Sequence, residues 1–136
     1  MDWPLELIVV PVSDVDRAKT FYLEQAGFNV DVDHRGGEDF GVVQLTPPRL
    51  ACSIALMRNT AAAGSLQGLH LVVSDIVAAR DELSGRGVPI GPVRHMVSGQ
   101  WVDGPHPERE NYQSFADFAD PDGNIWLLQE VDRSKG

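Results

Sequence analysis

Apolar residues in this chain fall into short runs separated by polar turns, and the runs repeat. Val9-Val10-Pro11-Val12 reads as a buried strand, and Ser13-Asp14 follows with side-chain oxygens suited to the free N–H groups of a helix's first turn. Val15, Ala18, Phe21, Tyr22 and Gln25 then recur at spacings of three and four, which predicts a helix with one apolar stripe, closed by Gly27. The segment Val9–Lys19 returns as His70–Arg80, with Asp75 in the place of Asp14, and a second helix carrying Ile76, Ala79 and Leu83 ends at Gly87. Each helix is followed by β-like segments: Phe28–Asp33, Gly41–Leu45 and Ala51–Met57, then Val88–Met96, Ser114–Asp117 and Ile125–Val131. The pattern predicts a single domain over 1–136, built from a βαβββ module at 5–58 and a second at 68–131. They are joined near Asn59–Gln67, where Ala61–Ser65 is small and linker-like.

Two segments interrupt this order. His34–Phe40 is Gly-rich and charged, and Val97–Gln113, which holds Trp101 and Tyr112, reads as a long loop and a candidate lid. At 136 residues and 43% apolar the chain is ordinary for one globular domain. Its formal charge of −9 argues against nucleic acid as a partner. One cysteine, Cys52, closes no intrachain disulfide and builds no thiolate zinc site. The acidic start lacks the basic flank of a signal peptide, and no apolar run is long enough to span a bilayer, so a cytoplasmic protein with no membrane partner is expected.

The doubled strand–Ser–Asp–helix opening, together with Asp120-Pro121-Asp122-Gly123-Asn124 before the last apolar strand, resembles the vicinal-oxygen-chelate superfamily over Leu5 to Val131. That superfamily includes glyoxalase I, bleomycin- and fosfomycin-resistance proteins and extradiol dioxygenases. The resemblance implies an α+β fold in which two βαβββ modules in tandem form curled, cup-like mixed sheets around a ligand cleft. It also implies a divalent metal held at four positions, which here fall on Leu7, Gly68, Ala55 and Leu127. None of these has a donor lone pair on its side chain, so no metal and no other cofactor is expected. Family members commonly pair symmetrically, so a homodimer is expected as well.

His70 lies two residues beyond Gly68 and shares its strand face, so it is either a proton-transfer base or a hydrogen-bonded structural residue. Gln129 shares the cup face with Leu127, as a ligand contact or a satisfied buried amide. Trp101 and Tyr112 either cover a ligand or anchor their loop. Met57 either lines the cup or fills it. Trp126 is expected in the core, and Phe115 with it. His34 and His106 read as surface, while the strand face of His95 is open. Asp117, Asp120 and Asp122 read as turn acids, because a calcium loop's glycine and terminal Glu are missing from their places. Gly85-x-Gly87 follows a helix, not a strand, and is no dinucleotide fingerprint; a Gly-x-Ser-x-Gly elbow is absent.

The leading expectation is a small organic ligand in a cup lined by Leu7, Val9, Ala55, Met57, Val72 and Leu127, with His70, Gln129, Trp101 and Tyr112 completing the site. The alternative is a lyase, isomerase or dioxygenase, either with His70 as a metal-independent base or with relocated metal ligands. An interaction module that has lost its small-molecule role is a third reading.

Overall fold

The computed structural model describes residues 3, 5–35, 41–48 and 52–132. Most of the expected His34–Phe40 loop, and Ala51 at the start of an expected strand, lie outside them. The chain divides into two compact units, one running to Leu66 and including Asp120–Asn124, the other comprising Gln67–Ala119 and the residues from Ile125 onward. Each is built on a mixed sheet, so the fold is α+β as the repeat predicts.

In the first unit β1 (Leu7–Val12) leads through Ser13-Asp14 into α1 (Val15–Thr20), with β2 (Asn29–Arg35), β3 (Gly41–Thr46) and β4 (Ser53–Arg58) following. The strand order is β1-β4-β3-β2, with β1 parallel to β4 and the other pairs antiparallel. Asp14 caps α1 by accepting from the Arg17 N–H at 3.1 Å. The helix then widens into a π turn over Phe21–Gln25. Two successive aromatics of this turn, Phe21 and Tyr22, lie on the buried side, as the apolar stripe predicts. They join Val10, Val12, Val43, Leu45, Ile54 and Leu56 in a core between α1 and one face of the sheet.

The second unit repeats this opening with β5 (Leu69–Val73) and α2 (Ile76–Gly85), whose cap Asp75 accepts from the Ala78 N–H at 3.2 Å. Its remaining strands are β6 (Arg94–Val97), β7 (Gln100–Asp103), β8 (Ser114–Ala119) and β9 (Ile125–Glu130), in the order β5-β9-β8-β6-β7. Ile76 and Leu83 of α2 pack with Ala116, Phe118, Trp126 and Leu128 on one face of this sheet, and the Phe118 and Trp126 rings stack at 6.2 Å.

Three expectations are corrected here. The expected strand Val88–Met96 is shorter, with regular pairing confined to β6 and a lone bridge from Ile90 to Phe118. Val97–Gln113 is not one long loop: Ser98 and Gly99, both at positive φ, make a two-residue hairpin turn, and Gln100–Asp103 returns as a fifth strand. Ala61–Ser65 is no featureless linker either. Gly64, at φ +79, lies so close to the Asp122 backbone that an added Cβ would stand 2.1 Å from its carbonyl oxygen.

Candidate functional site

One face of each sheet is covered by its helix and the other is not, and strand alternation decides which residues stand on the uncovered face. In the first sheet the register sets Leu7 opposite Ser53, Val9 opposite Ala55 and Pro11 opposite Met57, and on the other side of β4 it sets Ala55 opposite Gln44 and Met57 opposite Val42. Leu7, Val9, Ala55 and Met57 therefore share this face, with Leu7 and Val9 exposed, Met57 half-buried and Ala55 buried. A small polar cluster stands there too: the Thr46 hydroxyl lies 2.7 Å from that of Ser53 and donates to the Asp31 carboxylate.

In the second sheet Val72 is opposite Gln129, Gln129 opposite Phe115 and Phe115 opposite Arg94; His70 is opposite Leu127 and Leu127 opposite Asp117. Val72, Leu127, His70 and Gln129 are thus gathered on one face, as expected from the sequence. Phe115 is a correction. It stands on this open face, half-buried, because the inward phase of β8 belongs to Ser114, Ala116 and Phe118. Trp101 is opposite Met96 on β7, so it too belongs to this face, its ring edge-on to Phe115 at 5.7 Å and under the Arg94 guanidinium at 4.4 Å. A Trp fixed in a paired strand is part of the sheet wall and not a loop lid. Tyr112, by contrast, lies outside the strands at φ +69 and is 51% exposed. Its carbonyl accepts from the Gln129 amide at 3.4 Å, so Gln129 is tied to Tyr112 and not to His70. His70 is exposed, and among the described residues its ring has no hydrogen-bond partner.

The remaining histidines are structural. His95 is buried on the helix-covered phase with Nδ1 2.7 Å from the Gly104 carbonyl. His106, expected at the surface, is half-buried, and its Nδ1 accepts from the Glu108 N–H at 3.1 Å. His34 is exposed. Cys52 is half-buried, with Sγ 3.7 Å from the Ser53 carbonyl.

The acids expected in turns carry more structure than a turn requires. Asp120, 5% exposed, accepts from the Asp122 and Asn124 N–H groups on one oxygen and from the Tyr22 hydroxyl at 2.7 Å and the Asn124 side chain at 2.8 Å on the other. Asn124 also donates to the Pro11 carbonyl and accepts from the Leu66 N–H. Asp122 receives the Ser13 N–H and hydroxyl and pairs with Arg17. These bonds fasten the β1–α1 corner.

The β5–α2 corner is fastened differently, by residues that carry no obvious motif. Glu130, 2% exposed, accepts from the Ile76 N–H at 2.9 Å and takes both Nε and Nη2 of Arg109, at 2.9 and 2.6 Å. Arg109 also reaches Asp75 at 3.1 Å. The Arg109 hydrogen bonds hold the Glu130 carboxyl below the usual glutamate range, and Glu130 in turn raises Arg109. Asp75 is lowered chiefly by the Ala78 N–H it caps. The sequence signal for Glu130 was its place on the buried phase of β9, one residue past Gln129.

The four positions at which the superfamily holds a metal carry Leu7, Gly68, Ala55 and Leu127, and aliphatic or absent side chains do not fit a metal ion. Among the described residues no group of three or more His, Cys, Asp or Glu side chains converges to replace them. No helix among the described residues is long and apolar enough to cross a membrane.

Comparison with known proteins agrees with this architecture. The family model of the Glyoxalase/Bleomycin resistance protein/Dioxygenase superfamily matches residues 5–128. The crystal structure of TnmS3, an antibiotic binding protein from Streptomyces sp. CB03234, is 33% identical, covers 95% of this chain and 96% of its own, and superposes with a TM-score of 0.72. A glyoxalase/bleomycin resistance protein from the same strain is 34% identical over 93% of this chain and 99% of its own, with a TM-score of 0.69. Among curated proteins, the uncharacterized YetH of Bacillus subtilis (strain 168) is 25% identical over 126 residues, 90% of this chain and 94% of its own.

Proposed function

The chain belongs to the Glyoxalase/Bleomycin resistance protein/Dioxygenase superfamily, and we propose that it is a metal-free binder of a small apolar or aromatic organic molecule. The observation that carries this reading is the open face of the second sheet. It gathers Val72, Leu127, Phe115 and Trp101 with His70, Gln129 and the charged side chains of Arg94, Asp103 and Asp117, so that apolar and aromatic walls stand beside a limited set of polar groups, as in small-molecule sites. The similarity to an antibiotic binding protein supports it. Leu7, Val9, Ala55 and Met57 give the first sheet an apolar face of the same kind, and Tyr112 adds an aromatic edge beside Gln129. In this reading the whole chain acts as one cytoplasmic domain of two modules, 5–58 and 68–131, and works as a homodimer of two copies.

The test is titration with planar aromatic probes after exhaustive treatment with a chelator. Binding that survives chelation supports the proposal, and binding that requires about one metal ion per chain contradicts it. A second reading, metal-independent proton transfer, is favoured by one observation: the His70 ring stands exposed on the same face with no partner among the described residues. His70→Ala separates the two. A binder loses a few-fold in affinity, whereas an enzyme keeps its affinity and loses turnover.

A further inference from the structure

Arg94, on the second sheet's open face, has the buried side-chain polar atom that is left without a partner among the described residues. A guanidinium has five N–H donors, and among the described residues the side chain of Arg94 donates no hydrogen bond. Its Nε is buried without a partner, and buried donors in folded proteins are otherwise nearly always satisfied. Two acids share the face. Asp117 approaches Nη2 at 3.7 Å, too far for a hydrogen bond, and its own side chain is 41% exposed and so well solvated. Asp103 is opposite Arg94 in the β6–β7 ladder and forms no ion pair with it. The Arg94 Cζ lies over the Trp101 ring, 4.4 Å from its centroid, so the ring meets the charge without accepting its N–H groups in the ordinary way. The side chain is 31% exposed and its buried unpartnered atom is Nε alone, so the terminal N–H groups are reachable.

Resting on the binding reading above and sharpening it, we propose that the ligand is an aromatic molecule bearing an anionic oxygen, a carboxylate or phenolate, with Arg94 as its recognition residue. The oxygen accepts from the exposed terminal N–H groups of Arg94, and the ring lies along Phe115 and Leu127 beside Trp101. A charged acceptor suits this place better than a neutral one. The guanidinium is held against an aromatic ring with its charge only loosely offset by Asp117, and a carboxylate can take two parallel N–H bonds from the fork.

The probes are 2-naphthoate and its uncharged isostere 2-naphthamide, titrated calorimetrically into the full chain. Naphthoate is expected to bind at least tenfold more tightly than naphthamide. Arg94→Gln is expected to weaken naphthoate about ten- to a hundredfold while changing naphthamide less than threefold. Because Arg94→Gln removes the stack on Trp101 and so can perturb the hairpin, Asp117→Asn provides an independent arm. It removes the competing acid at nearly constant shape and should tighten naphthoate about two- to fivefold and leave naphthamide unchanged. Equal affinity for the two probes, with neither variant selective, overturns the assignment of Arg94 and leaves the binding reading standing. Failure of both probes to bind at millimolar concentration overturns the two together.

Discussion

The two sheets share the same strand, Ser-Asp and helix opening, yet they distribute their polar groups differently. In the first, Asp120, Asn124 and Tyr22 bond to one another around α1, and the open face presents Leu7, Val9, Val42 and Met57 with the uncharged Gln44 and the small cluster of Thr46, Ser53 and Asp31. In the second, the corner is held by the Glu130–Arg109 pair, and the open face carries His70, Gln129, Arg94 and Asp117 among its apolar residues. A duplicated fold preserves what the backbone needs, a strand, a cap and an apolar helix stripe. It leaves the open faces free to diverge, and here the aromatic and charged side chains are on the second, where the proposed recognition takes place.

The largest effects should come from breaking the two corners. Asp120→Ala leaves the Tyr22 hydroxyl, the Asn124 amide and two backbone N–H groups without their acceptor. It should lower the unfolding free energy by about 3–5 kcal/mol in a urea titration. Glu130→Ala should cost less, about 2–3 kcal/mol, because the Arg109 left behind is 36% exposed and can turn to water. An equal or larger loss for Glu130→Ala would show that the Arg109 ion pair, and not the Asp120 network, is the stronger fastening.

Acid sharpens the contrast. Glu130 and Asp75 are held below their usual ranges in the folded chain, so the folded state binds fewer protons than the unfolded one as the pH falls. Their contribution is complete above about pH 4.3, the ordinary glutamate value, and is lost as the pH drops through the lowered values. The decline in stability between about pH 4.3 and 2 should therefore be shallower in Arg109→Gln than in the parent chain, since that variant lacks the group that lowers Glu130. Identical acid limbs would show that Arg109 does not set it.

Ligand affinity gives smaller effects and a direct comparison of the open faces. Trp101→Ala should weaken an aromatic probe about tenfold, by removing the largest exposed ring on the second face. Val9→Thr, a similar volume on the first face, should change it less than threefold. If Val9→Thr cost as much as Trp101→Ala, the division of labour between the faces would be wrong.

Much of this was legible along the chain. The repeat placed both helix caps, and the two-residue alternation of Leu127 and Gln129 put them on one face with His70 and Val72 once β9 paired with β5. What failed had physical causes. Ser98-Gly99 is a hairpin turn written in two residues, and missing it turned a paired strand carrying Trp101 into a loop. Alternation along Ser114–Asp117 fixes that Phe115 differs in face from Ser114 and Ala116 but not which set is inward, and the inward phase belongs to Ser114, Ala116 and Phe118 beneath α2. The burial of Glu130 has a signal in the phase of β9, but its pairing with Arg109 and the place of Arg94 do not, since these are set by a return of the chain from a distant turn and by strand register. Local pattern does not encode either.

The central claim, that the open face of the second sheet binds a small aromatic molecule without metal, is tested most directly by amide and side-chain chemical-shift mapping of the chelator-treated protein during titration with 2-naphthoate. The account predicts saturable shifts concentrated at His70, Val72, Arg94, Trp101, Phe115, Leu127 and Gln129. Shifts confined to α2 and the helix-covered residues Trp126 and Leu128, or binding that appears only when a divalent metal is restored, would contradict it.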